Sequence, residues 1–352
     1  MRKPLRTYFI LLSALSLIFA PMASAMEPKE RLAGRTLEVM VGFSNSGGGA
    51  RFWQVYSSAL RRALPETVVR ARFNDVGSGA IGSAELFRLD EGALAVGFVR
   101  PPDIIFAQQQ SDDTPAFNFA DANWIAGVER ESFVMAARRG IPLDPEALRQ
   151  SEQQLISPVS DMLATHATVV VLINAITGIN AKIVVGFKSS ARLKSIIAGD
   201  TDFYSVAADA ELEPLLESGD VVPLYTIVGN NFPDAVDTSR SLETFLVDGA
   251  PEAVVDYVKV ARGMGRGFFA PPGVNDDDVA ALRAVFEEIL TDPQFLAEAA
   301  ETGTPVSFVG HEEFTRDIKK LALDDPADSA ALRKAYACGL DMSEGKIRQC
   351  TF

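Results

Sequence analysis

Three times in this chain an apolar strand runs into a loop of glycine or serine that opens a helix. The first unit is the strand Thr36 to Phe43, the loop Ser44-Asn45-Ser46-Gly47-Gly48-Gly49, and a helix whose Phe52, Trp53, Tyr56, Leu60, Ala63 and Leu64 share one face. The second is the strand Val68 to Phe73, the loop Gly77-Ser78-Gly79, and a helix from Ile81 to Leu89, with a further strand at Ala93 to Phe98. The third starts at the short strand Leu155-Ile156, passes Ser157-Pro158-Val159-Ser160, and enters a helix over Ser160 to Ile176 that Gly178 stops. A strand over Lys182 to Phe187, a helix over Ala191 to Ala198 and a strand over Asp202 to Val206 follow. Alternation of this kind predicts an α/β fold. Each loop delivers the chain to a helix N-terminus, where unpaired N–H groups and the helix dipole attract an anion. Glycine lets backbone approach a ligand. Any α/β domain needs glycine in its tight turns, but three such loops together point to an anion site.

The last third reads most clearly as helix. Asn275 caps a helix with Asp276, Asp277 and Asp278 in its first turn, where the dipole favours acids. Val279, Leu282, Val285, Phe286, Ile289 and Leu290 form its stripe, Asp292-Pro293 ends it, and Phe295 to Ala300 begins another.

The 352 residues exceed one ordinary core and predict two domains. Residues 1–25 read as a secretory signal peptide. Arg2, Lys3 and Arg6 precede an apolar run over Thr7 to Ala20, and Ala23-Ser24-Ala25 offers a cleavage site after Ala25. The run is shorter than the roughly 20 residues that span a bilayer. The expectation is export through the inner membrane of a Gram-negative bacterium to the periplasm. In that oxidising compartment Cys338 and Cys350, the chain's two cysteines, read as one disulfide pinning a C-terminal tail.

A net charge of −14 argues against nucleic acid and anionic lipid as partners. An anionic ligand must therefore be held by local positive potential against the overall field. His166 and His311 lack metal-spaced partners, so no metal is expected. The nucleotide motifs fail too. The first loop lacks the Lys-Ser/Thr ending of a P-loop; Gly77-Ser78-Gly79-Ala80-Ile81-Gly82 has dinucleotide-loop spacing, but an exported chain is a poor host for nicotinamide cofactors. No Gly-x-Ser-x-Gly elbow occurs, and the reading is a binding protein without cofactor, not an enzyme.

In several segments the sequence resembles the substrate-binding receptors of tripartite tricarboxylate transporters, the Bug receptors. These are Val41-Gly42-Phe43 with Gly47-Gly48-Gly49, then Asn74 with Gly77-Ser78-Gly79, then Thr177-Gly178-Ile179-Asn180 leading to Val185-Gly186-Phe187-Lys188-Ser189-Ser190. The last is Gly265-Arg266-Gly267-Phe268-Phe269-Ala270-Pro271-Pro272-Gly273-Val274, continuing into Ala281-Leu282-Arg283. The resemblance implies a two-domain periplasmic binding fold, type II-like, with the ligand cleft between domains. It implies crossings near Glu131 to Arg138 and Gly263 to Phe269. The domains would then be 26–134 plus 266–352, and 135–265.

It further implies a small organic carboxylate as ligand, inner-membrane transporter subunits as partners, and a carboxylate held by backbone N–H groups of the first two loops. The expected site is Phe43, Ser44, Asn45, Ser46, Gly47, Gly48, Gly49, Gly77, Ser78 and Gly79, faced by Ser157, Ser160 and Ser190. Three departures bear on the ligand. Asn45-Ser46 stand where the family carries Pro-Gly, Ala50 or Arg51 where it carries Asp, and Val76 where it carries Pro. Arg51 either pairs a second carboxylate or is a solvated helix residue. A monomer delivering its solute to a transporter is the leading reading. A co-sensor docking on a membrane signalling partner and, behind it, a periplasmic enzyme are the competitors.

Overall fold

The computed structural model describes residues 26–352 apart from 47, 112–114, 163, 188–189, 209–211 and 305. The signal peptide expected over 1–25, its cleavage point and Gly47 lie outside the described residues.

The chain opens with α1 (Pro28–Leu32), β1 (Thr36–Val41), α2 (Gly48–Ala63), β2 (Val68–Phe73), α3 (Ala80–Leu86), β3 (Ala95–Val99), α4 (Pro101–Gln109) and β4 (Asn123–Gly127). There follow β5 (Phe133–Arg138), α5 (Pro145–Gln150), β6 (Leu155–Pro158), α6 (Thr165–Thr177), β7 (Ala181–Val184), α7 (Ser190–Ala198), β8 (Phe203–Ala207), α8 (Glu213–Ser218), β9 (Val221–Val228) and α9 (Glu252–Gly263). It closes with β10 (Gly267–Ala270), α10 (Asp276–Thr291), α11 (Pro293–Glu301), β11 (Val309–Gly310), α12 (His311–Ala322) and α13 (Pro326–Ser343).

One six-stranded sheet has the order β11-β4-β10-β3-β1-β2. β2, β1 and β3 run parallel, Thr36 opposite Val68 and Glu38 opposite Ala95, as strand–helix–strand connections require. β10 lies antiparallel between β3 and β4. A second sheet, β8-β5-β9, is antiparallel, and β6 pairs parallel with β7. Ile156 and Asp202 join these two, because the Asp202 N–H donates to the Ile156 carbonyl at 2.8 Å.

Burial follows the sheets. Trp53, Tyr56, Leu282 and Phe286 from α2 and α10 pack on Val41, Phe98 and Phe268 on one face of the six-stranded sheet. Phe98 and Phe268 stack with ring centroids 4.4 Å apart. Ile196 and Leu212 cover one face of the second sheet over Val134 and Ala136. The remaining cluster takes side chains from both sheets and the helices packed on them: Phe106, Trp124 and Phe269 from the first, Met135, Ile173 and Tyr257 from the second.

Two short segments join the sheets. β4 ends at Gly127 and β5 starts at Phe133, so most of the expected crossing over Glu131 to Arg138 is strand. The return runs from Gly263 to Gly267, and Arg130 pairs with Met264 in an antiparallel bridge, so the crossings lie side by side. Residues 266–352 do not stay together on the first unit: α13 packs on α6, α9 and β7. Gly339 permits this, since a Cβ there would stand 2.0 Å from the Val171 carbonyl oxygen. Cys338 and Cys350 form a disulfide behind that contact.

Candidate functional site

β3 ends at Val99 and the chain turns at Arg100 into α4, whose first residues are Pro101 and Pro102. Proline suits these positions because their N–H groups have no partner inside a helix. Asp103, in the same first turn, reaches across to α6 of the other sheet. The residue before α6 is Ala164, which supplies no side-chain cap. Asp103 replaces it, accepting from the Thr165 N–H at 2.8 Å and from the Thr165 hydroxyl. Burial raises the Asp103 pKa above the usual carboxylate range, against the pull of Arg100.

The two crossings supply a buried ion pair. Glu129, 4 % exposed, accepts from the Arg266 N–H at 3.0 Å and from its guanidinium. Burial pushes the Glu129 pKa up and Arg266 opposes it. The Arg266 guanidinium lies 3.9 Å from the Phe52 ring centroid and 5.5 Å from that of Phe43. Arg262, in the last turn of α9 and 7 % exposed, donates to the Ser205 carbonyl at 3.1 Å and to its hydroxyl, 3.5 Å over the Phe133 ring. Burial, and then the nearby Arg100, lower its pKa to about 9, which leaves it protonated at neutral pH. On α6, His166 accepts the Ser160 N–H on Nε2 at 3.0 Å. Burial, with Arg192, Arg262 and Arg100 nearby, pushes its pKa down to about 2, so the ring is neutral.

These groups surround one cavity of about 390 Å³. Arg100, Arg192, Arg262 and Arg266 line it with Asp103, Glu129, Glu131 and His166. A chain of net negative charge has thus gathered four guanidinium groups in one small space. Nε and Nη2 of Arg100 are buried there with no hydrogen-bond partner among the described residues. A buried guanidinium donor left unpaired is costly, and an anion in the cavity would satisfy it.

Among the described residues, those expected from the sequence do not line this cavity. Ser44, Asn45 and Ser46 are exposed. Phe43 stacks edge-on against Phe98 and touches Arg266. Gly48 is the first residue of α2, and a Cβ on Gly49 would meet the Phe43 side chain at 2.4 Å. Gly77, Ser78 and Gly79 all have positive φ, at 61°, 58° and 95°. A Cβ on Gly79 would lie 2.8 Å from the Gly42 Cα, so this glycine lets two backbone loops touch. Ser157 is fully buried with its hydroxyl unpaired, Ser160 bonds His166 and Asp161, and Ser190 begins α7. Arg51 is exposed and faces Glu298 and Thr302 across a groove, while Phe52 turns to the cavity.

The four arginines come from three separate stretches of the sequence, with Arg262 and Arg266 four residues apart, and no local motif joins all of them. One signal was available. Arg100 directly follows a parallel strand, and ligands of open α/β sheets bind beyond the carboxyl ends of such strands. Among the described residues no group of three or more His, Cys, Asp or Glu side chains could hold a metal ion, and no helix is long and apolar enough to cross a membrane.

No protein-family profile and no curated protein matches the sequence. Solved structures do match. A TctC solute-binding protein from Polaromonas superposes with a TM-score of 0.65 at 16 % identity, covering 86 % of this chain and 98 % of the other. The periplasmic binding protein BugD gives 0.58 at 15 %, covering 86 % and 97 %. MatC from Rhodopseudomonas palustris with bound malate gives 0.56 at 13 %, covering 85 % and 99 %. At these identities the likeness is one of fold, and it agrees with the resemblance read from the sequence: this chain has the two-domain α/β periplasmic binding fold of the TctC and Bug solute-binding proteins.

Proposed function

We propose that this protein is a periplasmic solute receptor that captures a small organic carboxylate and passes it to inner-membrane subunits of a tripartite tricarboxylate-type transporter. The observation that carries the reading is the arginine-lined cavity of about 390 Å³ between the two sheets, with buried guanidinium donors unpaired. Its size suits a metabolite-sized acid. The fold supports the same reading, since a protein built this way holds malate. In this proposal the lobes divide at residues 128–132 and 263–267, and α13 rides on the second lobe. The receptor works as an exported monomer, without catalysis.

Native mass spectrometry of freshly purified protein tests the proposal. We expect a fraction carrying one small acid, released on unfolding. An empty protein whose melting temperature no dicarboxylate or hydroxy acid raises would overturn it.

A further inference from the structure

We propose that one edge of the Arg100 guanidinium is a preformed carboxylate fork, so that side-chain donors, and not the glycine-loop backbone, hold the ligand's acid group. The proposal rests on the solute-receptor reading and names the residue that reads the charge.

The two unpaired donors of Arg100 are Nε and Nη2. Their N–H bonds run parallel along one side of the planar guanidinium, the side that grips the two oxygens of a carboxylate at once. Acids close by do not use this edge. Asp103 is spent on the N-terminus of α6, and Glu129 on Arg266. Arg262 offers no such edge, because its own Nε and Nη2 are taken by Ser205. It contributes charge, held in place by Phe133. The fork is also held still. Arg100 stands between the end of a central strand and Pro101-Pro102, whose rings fix the backbone. Ser44, Asn45 and Ser46 of the first loop are exposed and lie outside the cavity lining.

Arg100→Gln and Arg100→Lys test this, with succinate, malate and adipate as probes and calorimetry as readout. Losing one charge-assisted interaction should weaken the tightest of these acids about ten- to a hundredfold in Arg100→Gln. Arg100→Lys keeps the charge but loses the parallel donors, and should weaken binding by about tenfold or more. The ligand-free melting temperature of Arg100→Gln should change little, because Nε and Nη2 make no hydrogen bond within the protein, and the attraction lost to Asp103 and Glu129 is offset by relief of repulsion from Arg262. A merely structural arginine would behave the other way, with a lower melting temperature and unchanged affinity, and that result overturns the proposal. Affinities within about twofold of wild type in both variants also overturn it and leave the receptor reading standing. Wild-type protein that binds none of the three acids would sink both.

Discussion

His166 can accept the Ser160 N–H only while Nε2 is unprotonated. A proton there would break that bond and add a cation beside Arg192, Arg262 and Arg100. The unfolded chain has no such penalty, so its imidazole takes a proton near the ordinary value of 6.5 while the folded one waits until about 2. The folded state therefore binds fewer protons below 6.5. Its stability from this group is present above that pH and is lost as pH falls through the window from 6.5 towards 2. Each pH unit inside the window costs up to about 1.4 kcal/mol. Between about pH 7.5 and 5 the wild type should lose about 2 kcal/mol more than His166→Gln, measured by urea unfolding at both values. Equal losses would refute the assignment. The sequence marks His166 only by its lack of a metal-spaced partner, and it does not single out the cavity arginines. Their charge became meaningful only when the fold brought β3, α7, α9 and the second crossing to one place.

At the scale of elements the sequence was more legible. The second strand lies over Val68 to Phe73 as the sequence predicts, and the Asn275 side chain accepts the Asp277 N–H as a cap should. Gly178 ends α6 with a φ of 69°. The start of α6 differs: the apolar pattern runs back to Ser160, but the helix begins at Thr165. Its cap is Asp103, 62 residues earlier in the chain, and no local pattern marks so distant a partner. The position of α13 was equally hidden. Nothing before it in the sequence signals that the helix leaves the first sheet for the second. What allows it is Gly339, buried against the Val171 carbonyl. Gly339→Ala adds a methyl where backbone stands 2.0 Å away, so one helix must move. The cost should be about 1–3 kcal/mol, as for other overpacked cores, read as a lower urea midpoint with unchanged slope. A midpoint equal to wild type would show that α13 does not sit on α6 in solution.

For the whole molecule, the paired crossings at 128–132 and 263–267 form a natural bending line, and Glu129 with Arg266 ties one crossing to the other inside the cavity wall. A ligand touching Arg100 on one side and the α6–α7 face on the other binds the closed arrangement better and shifts the population towards it. Small-angle scattering should show a smaller radius of gyration when the protein is saturated with its tightest acid. An unchanged radius would argue that the cleft is already shut without ligand. The buried cluster common to both sheets has a further consequence. Cut at its crossings, the chain would leave Phe106 on one piece and Tyr257 on the other, each facing water where its ring had packed against the other's, centroids 6.2 Å apart. The lobes are therefore not interchangeable modules. A chimera that joins one of them to the matching half of another protein inherits an unmatched interior, and selection acts on the pair as one inherited unit.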